Sequence, residues 1–277
     1  MAHDARQPAR RDGTHRRRGA RVKLTYGSYL RVPELLALQH PLSSPAHHDE
    51  MLFIVIHQVY ELWFKQLLHE LEAVIADLDA DRLMPVAKHF RRIHTIQRIL
   101  LEQVDVLETM TPQEFNAFRD NLNPASGFQS VQFREVEFVS GLQKTAMLQH
   151  LELTPAERER LERRLQGQTL SGAFFALLGK RGYAATTPEE RVAALQSIYE
   201  NADDRYDLYM LCEDLIEFDE RLLLWRGRHI RMVERMIGAK MGTGGSPGVG
   251  YLATTLDKKI FPELWDVRTH LGKGTYA

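Results

Sequence analysis

The feature that most limits what this chain can become is a helical period in its apolar residues. Over residues 50–79 they recur at Phe53, Ile56, Val59, Trp63, Leu67, Leu71, Val74 and Leu78. Steps of three and four put all eight on one face of a helix. Residues 85–110 repeat the pattern with Val86, Phe90, Ile93, Ile96, Leu100, Val104 and Leu107. Helix starts are marked as well. Thr111-Pro112-Gln113-Glu114, Thr154-Pro155-Ala156-Glu157 and Thr187-Pro188-Glu189-Glu190 share the form T-P-x-E. In that form threonine caps, proline takes the first helical position, and glutamate reaches back to close a capping box. The second box opens a highly charged helix over about 155–166, expected near the surface. The third opens one that runs through Ile198. A further long helix is expected from about Asp203 to a stop at Gly238. Alternation at Val131-Gln132-Phe133 is too brief to argue a sheet. The expected class is all-α, a helical bundle with long crossover loops.

Composition narrows the function. The 277 residues are 44% hydrophobic and 26% charged, as in an ordinary soluble domain. The one cysteine, Cys212, allows no disulfide within the chain, which suits a reducing, cytoplasmic setting. The longest apolar run, residues 51–56, falls far short of a membrane span, which needs about 20 residues. Charge is uneven: residues 1–23 carry eight Lys/Arg against two Asp/Glu, so the rest holds 28 basic and 35 acidic residues. An acidic body argues against a nucleic-acid-binding core. Residues 1–22 are expected to be a disordered basic arm, and residues 23–277 a single domain.

Two segments break the helical reading. Residues 121–127, NLNPASG, are turn chemistry, and residues 242–250, GTGGSPGVG, form a glycine-rich loop. The loop is no phosphate cradle. No Gly-Lys-Ser/Thr ends it, and Pro247 stands where the dinucleotide fingerprint needs glycine. It reads either as a lid or as a surface linker. No histidine stands three residues after a glutamate, and His-Glu-x-x-His is absent, so both metal–carboxylate signatures fail.

Single histidines remain, and a haem needs only one axial imidazole. His57 lies on an apolar helix face and must find a partner, for which Glu61, one turn on, is the candidate. His229 sits among Arg226, Arg228 and Arg231, whose charges disfavour imidazolium. Arg119 shares a face with Phe115 and could clamp a carboxylate in two-point fashion. Tyr26 and Tyr29 are aromatics positioned to dock on a core or another subunit. Each residue also has a plain reading: a satisfied core histidine, an exposed helical histidine, a surface arginine, ordinary packing. From the residues alone the reaction does not follow.

The order of longer motifs goes further. YGSYL at 26–30 precedes HDEMLFIVIHQVYELWFK at 48–65, then FRDNLNPASGFQSVQFR at 118–134, then HIRMVERMIGAKMGTGGS at 229–246 with Tyr251-Leu252 after it. From about Leu24 to Leu264 the chain resembles the tryptophan 2,3-dioxygenase family in its bacterial form. The resemblance implies haem b, ferrous when active, with L-tryptophan and O2 as substrates and N-formylkynurenine as product. It implies that His229 is the axial ligand of the haem iron and that His57 accepts a hydrogen bond from the indole N–H. It implies Arg119 on the substrate carboxylate, Thr243 on its ammonium and carboxylate, and Phe53 and Phe115 around the ring. Some members have tyrosine at Phe115, so a hydroxyl contact is missing here. Ser126 and Gly127 match the turn over the distal haem face. Tyr26 and Tyr29 match tyrosines that reach a neighbouring subunit's site, which implies a homotetramer.

Three other readings stand beside this one. A broader enzyme of the indoleamine dioxygenase kind is opposed by His57 and the full motif set. A haem-binding sensor or scaffold without turnover has no reason to keep Arg119, Thr243 and His57 together. A nucleic-acid-binding protein would rest on the basic arm alone.

Overall fold

A computed structural model describes residues 23–142, 148–149, 151–243 and 254–272. The basic arm over 1–22, the glycine loop beyond Thr243, and Tyr251-Leu252 lie outside the described residues. By backbone contacts the chain divides into residues 1–39 and residues 40–277. The first unit holds two short helices, α1 (Tyr26–Leu30) and α2 (Val32–Leu35).

The second unit is built on three long helices: α3 (His48–Asp79), α4 (Leu83–Leu107) and α10 (Tyr206–Ile237). Shorter helices surround them: α5 (Pro112–Arg119), α6 (Val131–Ser140), α7 (Pro155–Gln166), α8 (Leu170–Lys180), α9 (Pro188–Glu200) and α11 (Pro262–Asp266). No strand occurs among the described residues, so the fold is all-α. All three T-P-x-E sequences form complete capping boxes, opening α5, α7 and α9. Gly238 closes α10 at φ 58°, where glycine carries no Cβ penalty.

The keel is α4. All seven apolar positions that set its period are buried, from Phe90 and Ile93 at 0% exposure to Leu107 at 5%. It packs against both α3 and α10. Hydrogen bonds fix both registers. Along α3 the partners run in opposite order: Tyr60 donates to the Leu100 carbonyl at 2.7 Å, and Glu70 meets His89 at 2.7 Å and Arg92 at 2.6 Å. The two helices are therefore antiparallel. Along α10 they rise together: His94 with the Asp214 carbonyl, Gln97 with the Phe218 carbonyl, and Asp105 with Arg228. These two are parallel. The start of α3 and the end of α10 thus both lie at the C-terminal end of α4.

Two helices, α6 and α8, were not among those expected from the sequence. Residues 131–133 are not extended; they are the first turn of α6, capped by the Ser130 hydroxyl. Their pattern misleads because Arg134, Glu135 and Glu137 are buried, so charge does not mark the outer face. Helix α8 buries Leu170, Ala173, Phe174, Leu177 and Leu178, all at 0% exposure, on one face in steps of three and four.

Asp219, fully buried on α10, holds the segment that leads into α11. It accepts from the backbone N–H of Ile260 at 3.0 Å and of Phe261 at 3.1 Å, and from the Trp265 indole at 3.1 Å. Removing the carboxylate orphans these donors. Asp219→Ala is expected to cost about 2–4 kcal/mol in urea unfolding; a loss below about 0.5 kcal/mol would show that other contacts anchor the segment.

Candidate functional site

The register that brings the start of α3 and the end of α10 together builds a cavity between them. It is lined by Phe53, His57, Glu61, Phe115, Arg119, Ser126, Gly127, Trp225, Arg226, His229 and Thr243, with other largely apolar side chains. Every expected site residue outside the first unit is therefore in one wall or another. Tyr26 and Tyr29 belong to the first unit, where they are 79% and 70% exposed.

His57 does not use Glu61. Its Nδ1 lies 2.7 Å from the Phe53 carbonyl, one turn back. A carbonyl only accepts, so Nδ1 carries a proton. Burial holds the ring below its usual pKa, against the pull of that carbonyl and the Glu61 charge. A neutral His57 protonated at Nδ1 keeps a lone pair on Nε2. The ring also packs on Phe53, centroid to centroid 4.1 Å, and Phe53 stacks on Phe115 at 5.7 Å.

Glu61 instead binds α6. Its carboxylate accepts from the Ser130 hydroxyl at 2.6 Å and from Gln132 Nε2 at 2.8 Å.

His229 is neutral for a reason the sequence does not display. Burial pushes its pKa down to about 4, and His57 adds to the shift. The adjacent arginines are committed elsewhere. Arg228 pairs with Asp105 and Glu108 at 2.6 and 2.8 Å, and Arg231 with Glu234 at 2.7 Å. The ring lies flat on Trp225, one turn earlier, with centroids 5.3 Å apart and planes 14° from parallel.

Arg226, 3% exposed, donates to Glu137 at 2.9 Å and to the Lys258 carbonyl at 2.9 Å. Glu137 also takes Arg134 at 2.5 Å, and Arg134 lies over the rings of Phe128 and Phe133. Asp219 also acts on Arg226, so two guanidiniums stand against two carboxylates in this buried wall. The sequence reading singled out neither Trp225 nor the function of Arg226. The available signal was spacing: positions three and four before His229 share its helix face.

At the mouth, Arg119 donates to the Met241 carbonyl, and the Thr243 hydroxyl donates to the Ala125 carbonyl at 2.6 Å. The chain after α10 is thus latched onto α5 and the turn that follows it. Ser126 caps the 3-10 turn Gly127–Gln129. An added Cβ on Gly127 would meet nothing within 4 Å, so its backbone faces open space.

No cluster of three or more His, Cys, Asp or Glu able to hold a bare metal ion occurs among the described residues. The site does suit a haem. It offers one neutral imidazole, an aromatic and aliphatic slot, a bare glycine backbone, and buried cations for the propionates.

Comparison with known proteins decides the family. The family model for tryptophan 2,3-dioxygenase matches residues 10–172 and 176–271. The chain belongs to the tryptophan 2,3-dioxygenase family. A tryptophan 2,3-dioxygenase of Nocardioides sp. is 51% identical over 255 residues, covering 90% of this chain and 96% of that protein. One of Herpetosiphon aurantiacus is 50% identical over 260 residues, covering 90% and 98%. One of Myxococcus xanthus is 45% identical over 262 residues, covering 90% of each. Apart from residues 173–175 in α8, the family match covers α3 through α10, and it takes in every residue named in the cavity walls.

Proposed function

We propose that this protein cleaves the indole C2–C3 bond of L-tryptophan with O2, adding both oxygen atoms to give N-formylkynurenine. The observation that carries the proposal is the pairing of two neutral, differently held imidazoles across one cavity in a member of this family. His229, stacked on Trp225 and buried as a neutral imidazole, would hold the iron of haem b. Arg226 and Arg134 are the cations suited to the propionates. When bound, the haem supplies the O2-binding and electron-transfer chemistry, in its ferrous form.

The remaining groups handle the amino acid. Phe53 and Phe115 take the flat faces of the indole. His57, with its proton on Nδ1, accepts the indole N–H at Nε2 and so sets the ring's orientation. Arg119 pairs with the carboxylate in two-point fashion, in place of its bond to the Met241 carbonyl. Thr243 meets the ammonium and carboxylate from the other side of the mouth. Binding the zwitterion there competes with the Arg119–Met241 bond, so the ligand rearranges the mouth as it enters. Ser126 and Gly127 close the distal side of the haem slot. The aromatic walls exclude water around the reacting bond, and proximity supplies much of the rate.

Two further points complete the reading. Tyr26 and Tyr29, with Leu24, Leu36 and Leu38, make an exposed apolar segment that suits docking on a second copy of the chain. The assembly proposed is a homotetramer in which the two tyrosines reach a neighbouring active site. No described helix is long and apolar enough to cross a membrane. With a single cysteine in the chain, the cytoplasm is the setting proposed.

His229→Ala is expected to abolish stoichiometric haem binding, read from the Soret absorbance of purified protein; full retention would move the axial ligand elsewhere. Arg119→Leu should raise KM for L-tryptophan about ten- to hundredfold, the loss of a hydrogen bond to a charged group. A KM within about twofold of the parent would remove the carboxylate role. Light scattering at micromolar concentration should give four times the chain mass, and a monomer would refute the shared site.

A further inference from the structure

Helix α3 carries a series of carboxylates, and several of them fasten a neighbouring segment. Glu50 holds the backbone of Leu42 and Ser43 at 2.6 and 3.0 Å, Glu70 holds α4 through His89 and Arg92, and Glu72 holds α7 through Arg164 at 2.5 Å. Glu61 alone among these lines the cavity. It follows His57 by one turn, and its charge acts on that ring.

The partners of Glu61 are chosen for position. Ser130 is the N-cap of α6: its hydroxyl accepts the Phe133 N–H at 3.2 Å while donating to Glu61 at 2.6 Å. Gln132 donates to both the Glu61 carboxylate at 2.8 Å and the Glu61 carbonyl at 2.9 Å. Ser130 also ends the turn that carries Ser126, Gly127 and Phe128 into the cavity wall. Within the turn, Ser126 N–H donates to Gln129 and Phe128 N–H to Ser126, while the Phe128 ring packs under Arg134 and on the cluster of Val131, Phe138 and Leu148. The carboxylate is thus the bolt between the wall bearing Phe53 and His57 and the wall bearing Ser126, Gly127 and Phe128.

We propose that Glu61 is a positioning residue that sets the width of the slot between α3 and the 126–130 turn, and so the fit of the substrate's ring. This rests on the functional reading above. Both carboxylate oxygens accept, and both facing groups donate. An amide of the same size gives up the charge on both bonds and must turn the Ser130 bond round, with that hydroxyl accepting instead of donating, so both contacts weaken. Glu61→Gln therefore loosens the bolt without emptying space. His57 does not depend on it, since its bond goes to Phe53.

The test uses Glu61→Gln, Gln132→Leu and the double variant. In hydrogen exchange, amides of residues 126–133 should exchange about tenfold faster in Glu61→Gln, while those of α8 and α9 stay unchanged. In haem-loaded enzyme, KM for L-tryptophan should rise about five- to tenfold with kcat within about twofold, and the preference over a ring-methylated tryptophan should shrink. Because the two side chains share one bond, the double variant should be no worse than the weaker single. Unchanged exchange at 126–133, or fully additive effects, would overturn the proposal. Uniformly faster exchange with a lowered melting temperature would also overturn it, leaving Glu61 a general structural residue. A parent enzyme that turned over no tryptophan would instead defeat the functional reading, and the exchange result would still decide whether Glu61 fixes the turn.

Discussion

The packing of both α3 and α10 against α4 sets everything that follows. The ridge of α4, buried along its whole length, runs antiparallel to α3 and parallel to α10. Only that combination brings residue 57, early in one 32-residue helix, and residue 229, late in another, to the same end of the bundle. Helices of this length are stiff, so the two imidazoles are held by the core rather than by loops. The second apolar cluster, with Ile56, Val104, Phe118, Met232 and Met236, fills the space beneath them.

Burying polar groups around such a cavity costs free energy unless each is matched. The matches divide into two kinds. Some are permanent: Glu137 between Arg134 and Arg226, Glu61 between Ser130 and Gln132, His57 with the Phe53 carbonyl. Others are provisional, at the mouth, where Arg119 and Thr243 bind backbone carbonyls that a ligand can replace. A rigid rear wall with an exchangeable front suits a site that binds a cofactor once and an amino acid many times.

Much of this was legible from the residues. The α4 ridge and the three capping boxes need only period and spacing. The coarse class follows from them. What stayed hidden was hidden by burial of the wrong kind. Arg134, Glu135 and Glu137 are inside, so α6 did not look amphipathic, whereas the buried face of α8, from Leu170 to Leu178, has a period that was there to be read. His229 was read as neutral because of neighbouring arginines. It is neutral because protein surrounds it, while those arginines face carboxylates on α4, α6 and α10 itself. The partner of His57 was misjudged for a related reason: Glu61 is nearby in sequence, but tertiary contacts with α6 claim it. Side-chain pairs across long sequence separations leave no local trace, and the reaction came from family resemblance rather than from any single motif.

The central claim is that this cavity performs a two-oxygen insertion on L-tryptophan. The direct measurement mixes reduced, haem-loaded protein with L-tryptophan under 18O2 and records product mass and yield. The account predicts N-formylkynurenine carrying two heavy oxygen atoms over many turnovers. Full haem occupancy with no product, or product bearing a single heavy atom, would contradict it.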